Sequence, residues 1–167
     1  MQAASIIYMI RHGEKPDNGA DGLSAQGLAR AQRLRQVFGL NSGFNIGYII
    51  AEHPKKDGSR KRPYETVQPL ANDLEHLGVE FNTKVDKGDA VGVARVVKKF
   101  SGPGNVLICW EHHNLSDIAK AIGIRGFAES SGISGELQYP GSRFDLIWVA
   151  PAPYDEITEV LSEDSLG

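Results

Sequence analysis

Four short stretches of the chain are almost continuously apolar: residues 6–10, 46–51, 106–110 and 144–150. Strands of that length without polar alternation are covered on both faces, so these runs predict the buried strands of a sheet enclosed between other elements. Between them the apolar spacing lengthens to three and four residues. Ser24 predicts the cap of a helix with Leu28, Ala31, Leu34 and Phe38 inward and Gly39 at its end. Pro63 suits the first turn of a second helix running toward Leu77 and Gly78, with Pro69 expected to kink or delay it. Asp89 predicts the cap of a third, with Val93, Ala94, Val97 and Phe100 inward. Asn114 or Ser116 predicts the cap of a fourth, carrying Leu115, Ile118, Ala119 and Ile122. Strands alternating with helices point to an α/β protein, a three-layer α/β/α sandwich with a mostly parallel central sheet.

Two glycine- and serine-rich stretches, residues 101–105 and 130–135, read as loops rather than linkers because core-like strands follow them. Residues 1–167 are therefore expected to form a single domain. The acidic tail, residues 156–167, is expected to be frayed or a short surface helix.

Composition narrows the function classes. Hydrophobic residues make 41% of the chain and charged residues 23%, an ordinary globular balance. A net charge of -3 argues against a general nucleic-acid or membrane-surface binder, so any anion site must be local. The single Cys109 cannot form an internal disulfide and reads as a buried thiol. Arg11 interrupts the first apolar run too early for a secretory signal, and no stretch approaches the roughly 18 apolar residues of a membrane helix. A cytoplasmic location is the expectation.

In open α/β sheets ligands bind beyond the carboxyl ends of the strands. Behind the first run stand Arg11, His12, Gly13 and Glu14; behind the second, Glu52 and His53, then Lys55, Lys56, Arg60, Lys61 and Arg62; behind the third, Glu111, His112, His113 and Asn114. Parallel strands would bring these groups to one edge. Two arginines and two histidines gathered there repel one another unless an anion binds among them, and phosphate offers several oxygens for guanidinium forks.

The same residues resemble the histidine phosphatase superfamily, the phosphoglycerate mutase-like proteins. The resemblance rests on Arg11-His12-Gly13-Glu14, on Leu23-Ser24-x-x-Gly27 with Ala31, on Arg62 with Thr66 and Leu70-Ala71, and on Trp110-Glu111-His112, together covering most of the first 120 residues. It implies that His12 attacks phosphorus and becomes a phosphohistidine that water hydrolyses, with Arg11, Arg62 and His112 holding the phosphoryl oxygens and neither metal nor other cofactor. Asn18, seven residues after Arg11, matches a phosphate-binding position of mutase-like relatives. His113, where many relatives have a small residue, is a further candidate for substrate contact. Phytase-like relatives carry an acid after the second histidine; here His113 stands there, which leaves Glu14, Asp86 and Asp89 as candidate proton donors. The short chain leaves little room for a capping insertion, which favours hydrolysis over mutase chemistry.

The implied substrate is a phosphorylated small molecule or a phosphoprotein. Alternatives are a mutase, a protein phosphohistidine phosphatase, or a module that binds phospho-ligands with negligible turnover. A rival site chemistry would use Glu52, His53, Glu111, His112 and His113 as metal ligands, against which stand the flanking arginines and the lack of a helical His-x-x-x-His spacing. His53 and His76 read as surface or packing residues, residues 55–61 as a solvated loop, and Trp110, Trp148 and Phe144 as core.

Overall fold

A computed structural model describes residues 4–166; Gly167 of the expected tail and the first three residues of the N-terminal reading lie outside it. Three apolar runs form β1 (Ile7–Arg11), β2 (Ile46–Ala51) and β4 (Asn105–Trp110). With β3 (Glu80–Asn82), β6 (Leu146–Ala150) and β8 (Glu159–Ser162) they make a six-stranded sheet in the order β3-β2-β4-β1-β6-β8. β1, β2, β3 and β4 are mutually parallel. β6 runs antiparallel to β1 and to β8. Two short strands, β5 (Gly126–Phe127) and β7 (Glu156–Ile157), pair separately.

Side chains alternate along each strand to feed two cores. Tyr8, Ile10, Ile49, Ala51, Leu107 and Cys109 face α1 (Ala25–Val37) and α2 (Arg62–Leu74). Ile7, Met9, Tyr48, Ile50, Val106, Ile108 and Trp110 face α3 (Ala90–Lys99) and α4 (His112–Ile122). The sheet is thus covered on both sides, the reason its central strands read as unbroken apolar runs. The architecture is the expected three-layer α/β/α sandwich.

Local chemistry explains most element boundaries. The Ser24 side chain accepts from the Gly27 amide at the start of α1, and Asp89 accepts from Gly92 at the start of α3. Several expectations need correction. Leu28 is 52% exposed rather than inward. α2 runs through Pro69 without a break, and the cost is a helical partner missing for the Glu65 carbonyl. α4 starts at His112, ahead of Asn114 and Ser116, with Glu111 as its N-cap residue. The fourth run begins its strand at Leu146, and that strand is antiparallel. Most of the tail is strand rather than frayed or helical: it supplies β7 and the edge strand β8, and only Glu163–Ser165 forms a short 3-10 turn, with Glu163 fully buried.

The antiparallel turn of β6 decides which loops reach the strand ends. The carboxyl ends of β1, β2 and β4 meet the entry to β6, residues 141–145, and the exit of β8 at Glu163.

Candidate functional site

Arg11 ends β1 buried, its Nη1 donating to the Gly141 and Arg143 carbonyls, each at 2.9 Å. Phe144 covers the guanidinium face, 3.8 Å from Cζ to the ring centroid, so this residue roofs the site rather than filling the core. Arg11 Nε is buried without a hydrogen-bond partner among the described residues. A buried guanidinium N–H left over in this way is a donor able to bind an anionic oxygen.

His12 follows, buried, its backbone amide donating to Trp110 O at 3.2 Å. Its Nδ1 lies 2.7 Å from Gly13 O. A carbonyl only accepts, so Nδ1 carries the proton and Nε2 keeps its lone pair. Burial lowers the imidazole to about 4, with Arg11 and Arg62 adding to the effect and the Gly13 bond opposing it. The ring is therefore neutral at physiological pH.

Gly13 has no room for a side chain: a Cβ would lie 3.0 Å from Gly27 O, and a Cβ on Gly27 only 2.5 Å from Glu14 O. This close crossing of loop and helix is why glycine occurs at both positions. Thr66 Oγ1 accepts from the Gly13 amide at 2.8 Å and donates to Arg62 O at 2.7 Å, tying the loop to the start of α2. There Arg62 donates from Nε to Gly22 O and from Nη2 to Ala20 O, both at 2.8 Å, leaving Nη1 without a bond among the described residues.

His112 opens α4, where unpaired first-turn amides favour an anion. Burial lowers it to about 4, with Arg11, His113 and Lys15 adding and Glu111 opposing. A Cβ on Gly141 would come within 3.2 Å of His112 Nε2, so His112 and Arg11 meet at Gly141. His113 is exposed beside it, ring centroids 3.9 Å apart. Both line a cavity of about 240 Å³ with Ser116, Gln138 and Tyr139.

The other expected residues have partners or exposure of their own. Asn18 is exposed and accepts from Ala20 N at 3.0 Å, a local turn in the loop that Arg62 binds. Glu14 is turned away from proton donation: burial pushes its carboxyl up, but a two-pronged bond from Arg30, at 2.9 and 2.8 Å, outweighs this and keeps it ionised. Arg30 also holds Glu163 and Asp164, each at 3.0 Å. Asp86 and Asp89 are exposed in the turn before α3, Asp89 occupied as its cap. Of the rival metal set, His53 is exposed with Nδ1 against Thr83 O at 2.8 Å, and among the described residues no three His, Cys, Asp or Glu side chains converge on a common point.

The sequence reading missed the 141–144 loop, Arg30 and Glu163. The first was hidden by the direction of β6, and the other two join only through contacts spanning 133 residues.

No family model matches the chain, and no curated protein does so. Among solved structures, the crystal structure of a candidate phosphohistidine phosphatase, SixA of Agrobacterium tumefaciens, superposes with a TM-score of 0.53 over 95% of this chain and 98% of that one, at 10% identity. The likeness is one of fold: the α/β/α arrangement of this chain is shared with the SixA structure over nearly the whole of both chains. Among the described residues no helix is long and apolar enough to cross a membrane.

Proposed function

We propose that the protein is a metal-independent phosphomonoester hydrolase that works through a phosphohistidine on His12. One observation carries the reading: a buried, neutral imidazole whose Nδ1 proton is given to Gly13 O, leaving the Nε2 lone pair at the strand edge shared with Arg11, Arg62 and His112. Holding one nitrogen orients the other for attack, and covalent capture splits one difficult displacement into two easier ones. Arg11 through Nε, Arg62 through Nη1 and His112 from the start of α4 would stabilise charge on the phosphoryl oxygens, the work a metal does in other phosphatases. The chain would thus act as a single 1–167 domain on a phosphorylated small molecule.

Action on a phosphohistidine-bearing protein is a second reading. The likeness to the SixA structure favours it, as does the exposed basic edge of Lys55, Lys56 and Arg60 next to Arg62.

The test is hydrolysis of p-nitrophenyl phosphate by wild type and His12→Ala with a chelator present, together with acid-labile, base-stable labelling of the enzyme. Turnover and labelling that survive chelation and vanish in His12→Ala are expected. Turnover lost to the chelator, or retained by His12→Ala, would overturn the reading.

A further inference from the structure

Of the expected proton donors, Glu14 is bound by Arg30 and Asp89 caps α3, and the same edge holds two further carboxyls that the phosphate pocket does not use. Glu52 directly follows β2 and Glu111 directly follows β4, the neighbouring parallel strand. Glu52 is 0% exposed, and no donor reaches either of its oxygens among the described residues. What it meets is another carboxylate, Glu111. Two carboxylates satisfy each other only with a proton between them.

Glu111 sits at the level of His12: β1 and β4 pair Arg11 with Trp110, and the His12 amide donates to Trp110 O. Its side chain is 22% exposed and held by Lys87 Nζ at 3.0 Å. It is therefore the member of the pair with access to solvent, on the side of His12, with Glu52 buried behind it. The charged groups facing Glu52 are Glu111, Lys87 and Arg60; those facing Glu111 are Glu52, Lys87 and His12, with Arg11 and His112 at the pocket. Burial and then Glu111 push the Glu52 carboxyl well above its ordinary value, while Glu111, raised by burial, is brought below its own by Glu52 and Lys87.

We propose that Glu52 and Glu111 share one proton and that Glu111 delivers it to the leaving oxygen, making Glu111 the general acid and Glu52 its positioning partner. This rests on the phosphohistidine reading above. As the His12 Nε2–phosphorus bond forms, the bond from phosphorus to the leaving oxygen breaks, and that oxygen takes the shared proton. Water then attacks phosphorus, the phosphorus–nitrogen bond breaks, and the water's proton returns to the pair, restoring both the imidazole and the acid.

The experiment compares phenyl phosphate, a poor leaving group, with dinitrophenyl phosphate, a good one, in wild type, Glu111→Gln and Glu52→Gln, folding being checked by thermal melting. Glu111→Gln should lose on the order of 10²–10⁴-fold in kcat/KM on phenyl phosphate and at least about tenfold less on dinitrophenyl phosphate. Glu52→Gln leaves Glu111 alone beside Lys87, so the alkaline limb of the phenyl phosphate profile should move to lower pH. Equal losses on both esters in Glu111→Gln, or an unmoved limb in Glu52→Gln, would overturn the acid assignment while the phosphohistidine route stands. A wild type that turns over neither ester would overturn both together.

Discussion

A histidine can act as a nucleophile only while unprotonated, and the surroundings of His12 widen the range in which its imidazole is unprotonated. Burial lowers its proton affinity to about 4 against an ordinary 6.5, so the free imidazole is present at any pH above about 4. The acidic limb of kcat/KM should therefore fall near pH 4; a limb near 6.5 would show an imidazole in open water. Phe144→Ala removes the ring 3.8 Å from Arg11 and 6.1 Å from His12, admits water, and should move this limb upward. At this scale the sequence was readable where a cation follows a buried strand, as for Arg11, His12 and His112. It misled where function depends on a partner: Glu14 reads as a free acid until Arg30 is seen bound to both its oxygens.

At the scale of elements, the crossing of the Arg-His-Gly loop over α1 carries the most constraint. Gly27→Ala would push a methyl group to 2.5 Å from Glu14 O, forcing loop and helix apart. A loss of about 1–3 kcal/mol is expected, read from the urea midpoint, together with reduced activity because His12 rides on that loop. An unchanged midpoint would mean that the loop shifts freely and that the crossing does not hold His12 in place. Helices α1 and α3 were legible because Ser24 and Asp89 cap them with side chains. The start of α4 was not, since Glu111 makes no side-chain cap and its carboxyl is engaged by Lys87. Strands β3 and β8 escaped notice because short edge strands with polar residues lack the apolar signal of central ones.

Across the whole molecule, Arg30 binds the first loop to the last segment through Glu14 and Glu163. Burial raises Glu163 to about 8, with Arg30 acting in the opposite direction. In Arg30→Ala the loss of stability should be about 3–5 kcal/mol at alkaline pH, where Glu163 would be an unpaired buried anion. It should shrink below about pH 8, as Glu163 takes up a proton and no longer needs a cation. Denaturant titrations at both ends of that range check the sign; a loss that does not vary with pH would mean that Glu163 is not the group left stranded. The sequence by itself determined the layers and the central strands, because burial on both faces demands continuous apolar runs, and it marked the cationic strand ends, because local spacing records them. The direction of β6, the docking of the tail as β8, the roof of Phe144 over Arg11 and the meeting of Glu52 with Glu111 were decided only by tertiary structure. Each depends on which distant segment lies alongside, and pairing between distant segments leaves no periodic trace in the chain.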